Sequence, residues 1–169
     1  GGEFDEMVGW FSADAEDPNY QCACYDRKAW IHRVAGNQEM ARIYWDSLVV
    51  FQEMNPADSE NPDNLAEFQA QLARNYARAG RMEDARRTLA GAMGMPVRDD
   101  AMPTVRRRWA QAYAELGDLD RAIETLEEAY RIAKRNGGAP GIDGQTFADI
   151  EAEGLALFLD DLRDDLQTG

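Results

Sequence analysis

The sequence predicts an all-α fold built from helical hairpins, and three observations predict it. The pattern Gly-x4-Ala occurs three times, as Gly36 to Ala41, Gly80 to Ala85 and Gly117 to Ala122. The residues around each copy fall at matching offsets. His32, Tyr76 and Tyr113 lie four before the glycine, Trp45, Leu89 and Leu126 four after the alanine, and Leu48, Ala92 and Ala129 seven after it. No stretch alternates apolar and polar residues for long enough to make a strand. A tight turn, a small residue where helices touch and a large residue one turn on describe a hairpin repeated three times.

The elements follow in chain order. Residues 1–18 form an acidic segment without a clear period. Helices are expected at about 19–34, 38–53, 63–79, 82–93, 103–116, 119–135 and 146–167. The glycines of the repeated pattern end the first member of each pair. Asn55 to Asp63 is rich in turn residues, and Met93 to Asp100 carries Gly94 and Pro96, so each separates one hairpin from the next. Pro103 suits a first helical turn, where its missing N–H costs nothing. Asp118 is placed to cap the helix after Gly117. The segment 19–135 is thus three hairpins and 136–145 a Gly-rich loop, with Gly137 and Gly138 ending a helix. In 146–169 a Thr146/Asp149 capping box opens an amphipathic helix, with Phe147, Ile150, Leu155, Phe158, Leu162 and Leu166 spaced at three to five.

Residues 114–129, Ala-Glu-Leu-Gly-Asp-Leu-Asp-Arg-Ala-Ile-Glu-Thr-Leu-Glu-Glu-Ala, resemble the tetratricopeptide repeat (TPR), a pair of antiparallel helices. Arg74 to Ala92 is a second match, and about 22–54 a third, with His32 and Trp45 unusual at their places. The alanines are spaced 44 and 37 residues apart, against a family period of about 34, so both linkers carry insertions. The resemblance covers about 22–135. It implies a repeat array whose first helices line a concave groove.

A second resemblance begins near Ala129. Arg131 to Phe147 is similar to the start of group II intron reverse transcriptases, with Asn136, Gly138, Ala139, Gly141, Asp143 and Gly144 matching residue by residue. Those enzymes need a palm domain with catalytic aspartates, which this segment does not contain. Phe158-Leu-Asp-Asp161 imitates a polymerase motif, but it lies within a helical pattern, which makes Asp160 and Asp161 a solvated face. The loop 137–144 lacks the Gly-Lys-Ser/Thr of a phosphate-binding P-loop, and no strand precedes it. Two shorter resemblances are noted. Gly1-Gly-Glu-Phe4 is similar to the Gly-Gly-Asp-Glu-Phe loop of diguanylate cyclases with one residue missing, without a strand pattern around it. Ala41 to Leu48 resembles TPR tails of bacterial signalling regulators.

Composition narrows the function. The net charge is −14, with 32 Asp and Glu against 18 Lys and Arg. Nonspecific nucleic-acid binding needs a basic face, so it is not expected. The charge is uneven, however. Between 74 and 135 there are 13 basic and 10 acidic residues, and the remainder holds 5 against 22. No apolar run approaches the roughly 20 residues that span a bilayer, and the start lacks the basic and then apolar segments of a signal peptide. Cys22 and Cys24 are too close for a disulfide framework. Even with His32 they supply only three ligands, where a structural zinc normally takes four. Free thiols of this kind suit a cytoplasmic setting.

No catalytic constellation is found. His32 is the only histidine and falls at a packing position, and Ser12, Ser47 and Ser59, the three serines, stand in no nucleophile elbow. No cofactor or metal is expected. Met93, Met95 and Met102 read as gap-fillers. The leading reading is a non-catalytic, TPR-like protein-interaction module. By what the resemblance implies, its groove takes Trp30 and Arg33 from the first hairpin. The second supplies Glu67, Ala70, Arg74, Ala77 and Arg78, and the third Thr104, Arg107, Gln111 and Glu115. Arg74, Arg78 and Arg107 would form a positive patch suited to an acidic or C-terminal carboxylate peptide. The bland alternative pairs these arginines with neighbouring acids. The Asn residues that hold a peptide carboxylate in some TPR families are replaced here by Trp30, Arg74 and Gln111. Two other readings stay open: an RNA-associated fragment of a reverse transcriptase-like protein, and a regulatory or oligomerisation domain of a bacterial signalling protein.

Overall fold

A computed structural model describes residues 18–57, 60–137 and 146–154. Within them the fold is all-helical, with seven helices packed together and no strand. They are α1 (Pro18–Val34), α2 (Gln38–Met54), α3 (Pro62–Arg78), α4 (Met82–Met93), α5 (Met102–Glu115), α6 (Leu119–Arg135) and α7 (Phe147–Glu153). The acidic segment before Pro18 and most of the Gly-rich loop lie outside the described residues, as does the expected helix beyond Gly154.

The repeated sequence pattern is a repeated piece of geometry. Gly36, Gly80 and Gly117 take φ of 78°, 84° and 79°, the left-handed region that glycine enters without strain. The residue after each glycine returns its N–H to the carbonyl four before the glycine. Asn37 reaches His32 at 2.8 Å, Arg81 reaches Tyr76 at 2.8 Å, and Asp118 reaches Tyr113 at 3.0 Å. This is a Schellman ending, made three times. The same residues then open the next helix, with Asn37 and Asp118 accepting from the N–H of Met40 and Arg121. One turn further on, Ala41, Ala85 and Ala122 are fully buried. These turns fold α1 on α2, α3 on α4 and α5 on α6. A methyl group at Gly117 would meet no atom of the described residues within 4 Å, so the cost expected is conformational. Gly117→Ala is expected to lose about 1 kcal/mol of stability by urea denaturation.

Three apolar clusters hold the hairpins. Ala29, Ala41, Trp45 and Leu48 fill the first, with Tyr25 and Tyr44 at its edge. His32 is buried at that site and stacks on Tyr44 at 5.3 Å. Val49 of α2 joins Leu72, Tyr76, Ala77 and Ala85 in the second. The third sets Ala66, Ala70 and Ala73 of α3 and Leu89 and Ala92 of α4 against Val105, Trp109 and Ala112 of α5. Alanines on α3 let α5 approach closely, and the Trp109 indole fills the space they leave. Met95 and Met102 pack on this cluster as expected. Met93 does not. It is exposed, and its sulfur accepts from the Tyr113 hydroxyl.

The two insertions meet. Asp63 in the first turn of α3 accepts from the backbone N–H of Arg98 at 2.9 Å and from its guanidinium. Those bonds, the backbone one foremost, hold the Asp63 carboxyl below its ordinary range. A linker that reads as irregular in sequence is thereby tied to the start of the neighbouring hairpin. At the other end, Thr146 and Asp149 exchange backbone-to-side-chain bonds in a reciprocal capping box. Phe147 then packs edge-on against Tyr130 at 5.2 Å, docking α7 on α6. No described helix is long and apolar enough to cross a membrane.

Candidate functional site

The three first helices share a periodicity in their polar residues. On α1 the spacing runs Asp26, Trp30, Arg33. On α3 it runs Glu67, Gln71, Arg74, Arg78, and on α5 Thr104, Arg108, Gln111, Glu115. Steps of four and three keep each set on one helical face. The hydrogen bonds and ion pairs between these helices join these stripes to one another.

At one end the stripes meet on Glu115. Arg78 Nε donates to Glu115 Oε1 at 2.6 Å. Arg33 Nη1 lies 3.5 Å from Oε2, and Arg74 Nε lies 3.6 Å from Oε1. Arg78 Nη1 also donates to Asp26 Oδ1 at 3.2 Å, and the Trp45 indole N–H donates to the same oxygen at 3.3 Å. Aromatic faces complete the enclosure. Arg78 lies over Trp45 at 5.3 Å and Arg33 over Trp30 at 5.4 Å. The Arg78 side chain is only 6% exposed and that of Arg33 35%, so one is sealed behind the other.

Three guanidiniums therefore face two carboxylates. Burial pushes the Arg74 guanidinium down to about 10, helped by Arg78 and opposed by Glu115 and Asp26. Among the described residues, the buried Arg74 Nε finds no hydrogen-bond partner, and neither does the buried Gln111 Oε1, one turn before Glu115. Toward the other end, Arg108 Nε donates to Glu67 at 3.0 Å, and a side-chain ladder runs from Gln71 to Asn75 and from Asn75 to Gln52. Asn75, 1% exposed, fixes the register of α3 against α2 with that last bond of 2.9 Å.

The structure brings Trp30, Arg33, Arg74, Arg78 and Gln111 to this face. Arg107 does not join them. It is exposed and forms no ion pair among the described residues. It sits about 100° around α5 from Arg108, which is the residue that meets Glu67. The positive patch thus consists of Arg33, Arg74 and Arg78, and their charge is largely met from within. Ala70 and Ala77 are also absent from the open face, since both are buried between helices. Asp26, Gln71 and Arg108 are participants absent from the groove that the sequence predicts. The matching four-three spacing of the α3 and α5 stripes was the signal for Arg108.

Other sequence candidates are placed as follows. Cys24 is buried and Cys22 half-buried, with burial pushing the Cys22 thiol up. Among the described residues no group of three or more His, Cys, Asp or Glu side chains stands close enough to hold a metal. A shallow open depression between α3 and α5 is lined by Asn64, Glu67, Phe68, Gln71 and Arg108, continuous with the polar face. The class defined so far is an all-helical, repeat-like protein with an arginine-centred polar face. No family model, curated protein or solved structure matches the chain.

Proposed function

We propose that this chain is a non-catalytic, TPR-like interaction module that binds a peptide along the face shared by α1, α3 and α5. The observation that supports it most is the concentration of long polar and aromatic side chains on that face. Elsewhere the same helices present alanines to one another. Small residues set the helices close, while Trp30, Arg33, Arg74 and Arg108 stand on the side left to a partner. The remaining positive charge there suits an acidic ligand in a chain that is otherwise strongly acidic.

Selection from a displayed peptide library, followed by titration of the enriched peptides, tests this reading. Binding is expected to fall at least about tenfold in Arg33→Glu, at the mouth of the cluster, and to be unchanged in Arg107→Glu, outside it. Equal loss in both variants, or enrichment of no peptide, would sink the assignment.

A further inference from the structure

The arginine cluster contains an internal carboxylate that stands where a ligand's would. Glu115 lies within 4 Å of all three guanidiniums, yet among the described residues only Arg78 hydrogen-bonds to it. Arg33 and Arg74 approach it at 3.5 and 3.6 Å without forming a hydrogen bond. With Asp26 satisfied by Arg78 and Trp45, the cluster keeps one positive charge in excess. Arg33 and Arg74 share the one carboxylate of Glu115 from partly buried positions, where an unmatched charge costs more than at the surface, and one further carboxylate removes the excess. A phosphate dianion would overshoot it. Access follows the same division. Arg78 is sealed, whereas Arg33 and the Trp30 ring beside it open to solvent. The buried donor Arg74 Nε and the buried acceptor Gln111 Oε1 both lack hydrogen-bond partners among the described residues, and a peptide supplies an acceptor and an N–H together.

We propose that Arg33 and Arg74, walled by Trp30, form a subsite for a single carboxylate of an acidic peptide, and that Glu115 is its built-in competitor. The proposal rests on the peptide-binding reading above and adds the ligand chemistry and the residue that limits its affinity. On binding, the incoming carboxylate takes over Arg33 and Arg74. Glu115 keeps its bond to Arg78, so the helices stay joined.

The test is fluorescence polarisation with four labelled peptides: a hexaglutamate with an amidated end, its hexaglutamine counterpart, a neutral peptide with a free carboxyl end, and a phosphoserine peptide. Wild type, Glu115→Gln, Arg33→Gln and Arg107→Gln are compared, with circular dichroism melts showing that each is folded. Glu115→Gln keeps the oxygen that Arg78 needs and deletes the competing charge. It is expected to bind hexaglutamate at least about tenfold tighter than wild type. Arg33→Gln is expected to lose that binding and Arg107→Gln to retain it. Hexaglutamine should not bind. Binding of the free-ended neutral peptide instead would assign the same subsite to a chain terminus. Unchanged affinity in Glu115→Gln would overturn the competitor and leave the peptide-binding face standing. Preference for phosphoserine would overturn the single-carboxylate assignment. If library-selected peptides bind and none of the acidic probes does, the ligand chemistry is wrong. If nothing binds at all, both readings fall.

Discussion

Trp109→Ala is expected to cost about 3–5 kcal/mol of folding stability, a large fraction of the roughly 5–15 kcal/mol that holds a domain together. Trp109 is 4% exposed and lies among Ala66, Ala70, Ala73, Leu89, Ala92, Val105 and Ala112. Most of those neighbours are alanines, whose side chains are too short to move into the vacated space. The cavity would stay open, and the penalty would approach the upper end of the range. Trp109→Phe separates packing from polarity. The indole N–H is buried without a hydrogen-bond partner among the described residues, so removing it relinquishes no bond there, and the phenyl ring still fills most of the site. Urea denaturation followed by circular dichroism should place Trp109→Phe within about 1.5 kcal/mol of wild type. Similar losses for both variants would show that ring size, not ring presence, closes the contact between α3 and α5.

That cluster illustrates what the sequence made legible. The glycines at 36, 80 and 117 mark turns because the Schellman ending calls for positive φ, and the alanines five residues on mark close approach because each is fully buried where two helices meet. Both are local requirements, so a local pattern displays them. Helix limits followed from caps and prolines for the same reason. The arginine cluster is different. Arg78 pairs with residues 37 and 52 positions away, and no local pattern encodes such a meeting. It depends on how the two insertions tilt one hairpin on the next, which the Asp63 to Arg98 tether helps to set. A repeat alignment counts residues from the turn, and on α5 it selected Arg107. The helix instead turns Arg108 toward α3, where it meets Glu67.

The second large effect is expected at Arg78. Arg78→Met retains much of the aliphatic stem over Trp45 but, among the described residues, strips Glu115 of its only hydrogen bond and leaves Asp26 to the indole N–H alone. Removing one partner of a buried ion pair typically costs about 3–5 kcal/mol. Two features reduce that here. Asp26 is 48% exposed in its side chain and regains water, and Arg33 and Arg74 still face Glu115. A loss of about 2–3 kcal/mol is therefore expected. Glu115→Gln should cost less in the Arg78→Met background than in wild type, because the Arg78 bond is already gone while Arg33 and Arg74 still face the residue, so that the double-variant cycle shows coupling. The exposed Arg131 to Glu127 pair provides the contrast, since Arg131→Met should fall within about 0.5 kcal/mol of wild type. If Arg78→Met is no more harmful than Arg131→Met, the cluster does not join the first hairpin to the other two. Its arginines would then be held for a ligand rather than for the fold, and peptide affinity would become the quantity that responds to each of them.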